Sequence, residues 1–525
     1  MIDIDKIIVS NRSRLLEKYG SAGLKKIEQA VKKLIAHDKT RGIDSLLVYV
    51  DDDKHMSAAG APAVLSRRSP EQNKIAVDAL CKKYTPDYIL LLGSRDVIPH
   101  AELNNLIAAP DKDGNGDEDR EVYSDLPYAC EARYSEHIAD FLNPVRVVGR
   151  LPDITGGTDV SYLVRLVENA IKVKPSPAKE YKDYFAVSAA VWSGSSRLTL
   201  TNVFRNHKKL LLCPPTDARK KPFTPSQLKP KVHFINCHGG KAQEFFQGEG
   251  RKESEEIQYA LDTRNLVDKV SFGTVAAAEC CYGADLFPVL GPGRISIANN
   301  YLGHGAVGYM GSTTIAYGLF RVQQNADLLT EYFLSNVTRG FSIGHAFLEA
   351  RQKFIKIANL SNLDPCGMKT IAQFILLGDP SVQPVEKSTF FGGFDDNERF
   401  RGENFGHAKL MRKTRRANLI AQGLMLQAMV SPPKKLRGWK IPPKLRKELD
   451  AALQQIGLKP GQKPDGVFGY SSKKHKGEMR KLLSYQDEVK QFVFLKHDPK
   501  QSRRAIYVIK SLGEEVVEMK RYVRR

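Results

Sequence analysis

The sequence predicts an α/β protein: a mostly parallel sheet covered by helices on both faces, followed by a basic helical C-terminal domain. Three observations predict it. Apolar runs of strand length recur without the alternation expected of a half-exposed strand. Stretches with helical spacing separate them. The charge gathers at one end, where roughly +19 of the net +21 lies beyond residue 400.

In chain order, Leu15, Leu16, Leu24, Ile27, Val31 and Leu34 recur at helical spacing, so residues 1 to about 50 read as helix ending in the short strand Ser45–Val50. A helix over 70–84 then leads into the apolar run Asp87–Gly93, and Arg146–Arg150 leads into a helix over 160–173. Three later runs, Lys231–Cys237, Gly273–Glu279 and Ala306–Met310, each end where a small or polar residue takes over. In open α/β sheets ligands bind beyond the carboxyl ends of strands, so catalytic residues are expected there. After Pro380 the glycine-rich Phe391-Gly-Gly-Phe segment marks a boundary, and a basic helix is expected over about 405–430.

With 525 residues the chain exceeds a single core. The expected division is an N-terminal helical and small α/β region over 1–75, a main α/β domain over 76–388, a linker and basic helix over 389–444, and a basic domain over 445–525. Seven cysteines in no disulfide spacing, no leader and no apolar span of bilayer length give an expectation of a reducing cytoplasm without membrane contact.

The residues that carry chemistry are His238, followed by Gly239-Gly240, and Cys281, in the string Glu279-Cys280-Cys281-Tyr282-Gly283. A free thiol is only a few per cent thiolate at neutral pH, and a nearby imidazole can take its proton and later protonate a leaving amine. The roles expected are Cys281 as nucleophile, His238 as general acid/base, and the amides of Gly239 and Cys281 as oxyanion donors. Cys280 is the alternative nucleophile. Neighbours in a strand point to opposite faces, so one of the two faces the histidine.

The 43-residue separation of His238 and Cys281, and the gapless alignment of Glu279–Gly283 with the caspase signature, resemble the caspase-like clan of cysteine peptidases. The wider chain resembles its gingipain-type branch through Tyr88–Pro99, Tyr123–Tyr128, Val148–Pro152, Phe234–Gly240, Gly305–Thr313 and Leu377–Pro380. The resemblance implies a caspase-like fold and a cysteine endopeptidase acting on polypeptides, often after a basic residue. A basic P1 residue needs a pocket carboxylate, for which Asp125 is the candidate, with Ser312, Thr313 and Tyr317 in the pocket wall. Activation by self-processing, at Arg251-Lys252 or Arg219-Lys220-Lys221, or by a partner, as in a zymogen, is a further expectation. No cofactor is required for this chemistry.

Asp111, Asp113, Asn115 and Asp117 occupy alternate positions of a half calcium loop, and gingipain-like relatives bind calcium, although Val122 stands where the loop needs glutamate. Leu453–Gly469 with Met479–Gln486 resembles a small three-helix peptidoglycan-binding module. Its dense Lys and Arg imply an acidic protein or nucleic-acid partner. The rival function is therefore a caspase-like scaffold without turnover, docked through this basic region.

Overall fold

The computed structural model describes residues 4–525 except 67, 109–116, 252–256, 292–293, 320–322, 361–362, 387–404, 430–431, 471–487 and 499–502. The central feature is a ten-stranded sheet. In spatial order its strands are Ser45–Tyr49, Lys6–Ser10, Tyr88–Leu92, Val147–Leu151, Phe374–Leu377, Ala306–Ser312, Thr274–Ala278, Val232–Asn236, Phe185–Ala189 and Leu210–Cys213. Nine strand pairs hold it, and all are parallel except one, Ala306–Ser312 against Phe374–Leu377. The sheet is thus two parallel halves running in opposite directions, joined at that seam. Helices cover it, as expected of strands apolar on both faces. This is the mostly parallel, helix-covered sheet of a caspase-like α/β fold.

The helices start where side chains can cap them. Arg12–Thr40 begins with Asn11 accepting from Arg14 N at 2.9 Å, and Pro70–Tyr84 with Ser69 accepting from Gln72 N at 3.1 Å. The first helix buries Leu15, Leu24, Ile27, Val31 and Leu34 and leaves Leu16 exposed.

Three expectations are corrected. The N-terminal segment is not helix from its start: Lys6-Ile-Ile-Val-Ser is a buried strand paired with both Ser45–Tyr49 and Tyr88–Leu92. A boundary at residue 75 therefore does not divide the sheet. Lys6, fully buried, ties this strand to Asp379 at 2.8 Å and to Asp38.

The C-terminal region is also not a helical unit. After helices Phe405–Met429 and Pro443–Gln455 come long antiparallel strands, Val489–Asp498, Arg503–Leu512 and Glu515–Arg524. Runs such as Phe492-Val-Phe-Leu and Ala505-Ile-Tyr-Val-Ile carry the β-branched and aromatic residues that fit a pleated surface. Finally, Gly466-Val-Phe-Gly469 is itself a strand paired with Val489–Asp498 rather than a turn between helices, so the likeness to a three-helix wall-binding module does not extend to its architecture. Met479–Gln486 lies outside the described residues.

One contact ties the C-terminal sheet back to the carboxyl ends of the main strands. The terminal strand Glu515–Arg524 pairs antiparallel with Tyr317–Leu319, a short strand just beyond the carboxyl end of Ala306–Ser312. No described helix is long and apolar enough to cross a membrane.

Candidate active site

Two neighbouring strands set the site. The histidine strand Val232–Asn236 and the cysteine strand Thr274–Ala278 pair in parallel with Ala278 opposite Ile235, and Glu279 N–H donates to the Ile235 carbonyl at 2.8 Å. Three residues beyond that last pair stand His238 and Cys281, so the register brings these two positions abreast. Gly239 lies directly against the cysteine turn: a side-chain carbon there would sit 1.9 Å from the Cys281 carbonyl oxygen, so glycine is required for this approach.

His238 is fixed from outside the main sheet. Its backbone bonds Gln247 in both directions, at 2.8 and 2.9 Å, on the hairpin formed by Phe245–Gly248 and Gln258–Asp262. Just past the first hairpin strand, Glu249 places Oε2 at 2.8 Å from His238 Nε2. The Trp192 ring packs edge-on against the imidazole with centroids 4.4 Å apart.

The adjacent thiols occupy different surroundings. Cys280 Sγ lies 3.9 Å from the Ile235 carbonyl, inside the sheet. Cys281 Sγ lies 3.3 Å from Ala316 N and 3.6 Å from Ala316 O, at the approach to Tyr317–Leu319. Burial pushes both thiols up; at Cys281 the Arg524 guanidinium opposes that push. The ring of His238 bonds Glu249 and the thiol of Cys281 bonds Ala316, and the two are not hydrogen-bonded to each other. Tyr282, next after Cys281, has a φ of +53, held by N–H donation to Thr314 O at 3.0 Å and by its hydroxyl on Asp119 at 2.7 Å. Such left-handed strain in a non-glycine residue persists only where surrounding contacts impose it.

Beside Cys281 is a closed acidic pocket, and Arg525 fills it. The guanidinium makes two bonds of 2.9 Å to Asp327 and one of 3.1 Å to Asn236 Oδ1, and stacks over Trp192 at 4.6 Å. Both charged partners are fully buried. Glu279 lines the same space. Burial and the adjoining Asp327 push its carboxyl well above the carboxylate range, outweighing the Arg525 charge. Gly318 lets the arginine through, since a side-chain carbon at that position would lie 2.2 Å from Nη2.

Asp125, expected in the substrate pocket, is instead a buried anchor of the scaffold. Its carboxylate takes Arg150 Nε at 2.9 Å, Arg150 Nη2 at 2.6 Å and His100 Nδ1 at 2.8 Å, which leaves no oxygen for a substrate. Ser312 and Thr313 are also turned inward: Ser312 Oγ donates to Thr314 O at 2.7 Å, and Thr313 Oγ1 to Tyr123 O at 2.5 Å. Tyr317 is buried and its backbone pairs with Arg524.

Of the expected calcium ligands, Asp111, Asp113 and Asn115 lie outside the described residues. Asp117 is buried against the Lys369 ammonium, which neutralises it and takes the place a cation would hold. Among the described residues no group of three or more His, Cys, Asp or Glu could hold a metal. Of the expected self-processing sites, Lys252 is not described, Arg251 bonds Ser193 Oγ at 2.7 Å, and Arg219 bonds Asp262 at 2.7 Å and stacks on Tyr259 at 3.5 Å.

Sequence reasoning missed Glu249, Trp192, Asn236, Asp327 and Gly318. Only Asn236 carried a signal, two residues before His238 on the same strand. The others sit in unremarkable strings, such as Gln323-Gln-Asn-Ala-Asp327.

A mostly parallel sheet with His and Cys abreast at adjacent strand ends resembles the arrangement expected of a cysteine peptidase of the caspase-like clan. In sequence, residues 238–385 match the family model described as Peptidase family C25, the gingipain family of that clan. No curated protein matches the chain. Among solved structures, one described as a protease is 12% identical with a TM-score of 0.46, covering 100% of this chain and 98% of that one. Two Saccharomyces cerevisiae separase–securin complexes are each 10% identical with a TM-score of 0.29. Those two cover 46% and 48% of this chain, which spans only 14% and 15% of theirs.

Proposed function

We propose that the chain is a cysteine endopeptidase that cuts polypeptides after arginine, with Cys281 as nucleophile and His238 as general acid/base. The observation that carries this reading is an arginine held by a buried carboxylate beside the cysteine that stands abreast of the histidine. Glu249 engages Nε2, which leaves Nδ1 of the ring for proton transfer.

In this reading His238 takes the thiol proton and the Cys281 sulfur attacks the carbonyl carbon after the arginine. The developing oxyanion meets the Cys281 amide, with the Gly239 amide as second donor. The carbon–nitrogen bond breaks as the imidazolium protonates the leaving amine. Water, deprotonated by the imidazole, then hydrolyses the thioester and restores the thiol. Asp327 accepts both bonds from Nη2, while Asn236 Oδ1 accepts from Nη1 and the Leu319 carbonyl from Nη2, and acceptors spread over a planar guanidinium in this way favour arginine over lysine. The free, buried cysteines fit a reducing compartment such as the cytoplasm.

Fluorogenic peptides differing only at P1 test the proposal. Arginine is expected to be cut at least about tenfold faster than lysine, and Cys281→Ala and His238→Ala to abolish turnover. Faster cleavage after Asp or Leu would refute the specificity. The buried, covered thiol also fits the scaffold reading, in which the basic region docks on an acidic protein or nucleic acid. An arginine-directed thiol warhead separates the two, since a scaffold shows no His238-dependent labelling of Cys281.

A further inference from the structure

The molecule contains its own ligand for the cleft. Tyr522, Val523 and Arg524 pair antiparallel with Leu319, Gly318 and Tyr317, and Arg525 N–H donates to Ala316 O at 3.0 Å. The Arg525 carbonyl oxygen receives the Cys281 N–H at 3.4 Å. Main-chain pairing of an extended peptide with a short strand is a general mode of peptide recognition, with side-chain pockets adding specificity.

Each side chain of the segment has a place. Arg525 fills the Asp327 pocket. Arg524 lies against Cys281 and donates to Glu118 at 3.1 Å. Val523 is buried in a cluster with Ala189, Val191 and Trp192. The Tyr522 hydroxyl bonds Asp364, and Gln324 Oε1 at 3.2 Å. The direction of the segment, its register and its carbonyl at an oxyanion-donor amide are those of the residues preceding a scissile bond.

We infer that Tyr522-Val-Arg-Arg525 occupies the cleft as the P4 to P1 residues of a substrate do, so the segment displays the sequence this cleft prefers and keeps other polypeptides out of it. Its likeness to a substrate rests on the peptidase reading; its docking rests on geometry alone. Asp327 is fully buried, and emptying the pocket would leave an uncompensated charge, so the pocket strongly favours holding a cation. Tethering raises the local concentration of the segment to the millimolar range, which an untethered substrate has to overcome. The preferred substrate class is an extended peptide with paired arginines, the residue next to P1 meeting Glu118 as Arg524 does.

Three measurements decide it. Arg525→Ala in the full chain is expected to raise kcat/KM on an acetyl-Tyr-Val-Arg-Arg reporter by about 100-fold, the lower end of what tethering contributes, and equal, measurable rates of cleavage by the two chains would overturn the inference. A reporter peptide fused after Arg525 is expected to be released by wild type and retained by Cys281→Ala. Its retention by a wild-type chain that cuts added arginine peptides would show that the register is wrong. Binding separates this inference from the peptidase reading: on the Cys281→Ala background, a fluorescent Tyr-Val-Arg-Arg peptide should bind a chain lacking residues 522–525 whose melting confirms that it is folded, and not the chain that retains them. If that pattern holds while no arginine substrate is ever cut, the docking stands and the peptidase reading falls. Equal binding to both chains, or none to the folded deletion, overturns the docking.

Discussion

A carboxylate is defined by the cation it faces, and two buried aspartates that bind arginine, Asp125 and Asp327, illustrate it. Asp125 faces Arg150 and His100 inside the scaffold. Although burial pushes its pKa up, those two groups outweigh it and hold the carboxyl below the usual range. A depressed pKa contributes stability that is present above the unfolded value of about 4 and lost as pH falls below it. Asp125→Asn is therefore expected to cost about 3–5 kcal/mol, because Arg150 is left buried without its counter-charge. Urea unfolding at neutral pH checks this; a wild-type-like midpoint would return Asp125 to the substrate pocket. The Cys281 thiol carries the opposite sign. Burial raises its pKa, so it is protonated near pH 7 and alkylation by iodoacetamide is expected to accelerate only above the ordinary thiol range of about 8.5. Mass spectrometry of Cys281 labelling against pH measures this, and rapid modification near pH 6 would contradict it.

At the scale of elements, the site depends on two strand pairings. The parallel pairing of Val232–Asn236 with Thr274–Ala278 sets His238 and Cys281 abreast. The antiparallel pairing of Tyr317–Leu319 with Glu515–Arg524 sets Arg525 in the acidic pocket. Gly318 is the central residue of the second pairing, opposite Val523. Gly318→Ala is expected to displace the guanidinium, since the new carbon would overlap Nη2, while the main sheet is untouched. Limited proteolysis of residues 515–525 should then speed up, whereas an unchanged pattern would mean that the arginine is not held as described. The first pairing was legible in the sequence because both strands are short, buried, largely apolar and end in chemistry. The second was not, because a three-residue strand has no periodicity to read and its partner lies almost two hundred residues away.

At the scale of the whole molecule, the sheet joins chain segments that the sequence separates. Lys6–Ser10 and Ser45–Tyr49 form one edge, and Lys6 reaches Asp379 at 2.8 Å. Deleting residues 1–75 is expected to expose the Tyr88–Leu92 strand as an apolar edge and to give aggregated protein. A soluble, monomeric 76–525 chain by gel filtration would reinstate the separate N-terminal region. The C-terminal sheet, in turn, reaches back to the site through its last strand, so the basic region is coupled to the cleft by covalent continuity as well as by contact.

Local pattern by itself determined the alternation of strands and helices, the parallel character of most of the sheet, and His238 and Cys281 as the residues to examine, because buried parallel strands are apolar throughout and their carboxyl ends are marked by small and polar residues. Tertiary structure alone decided that Asp125 supports the scaffold while Asp327 holds an arginine, that Glu249 braces the imidazole, and that the final residues lie in the cleft. The physical reason is common to all three: what a charged side chain does is set by the partner it meets in space, and these partners come from elements whose pairing no local periodicity encodes.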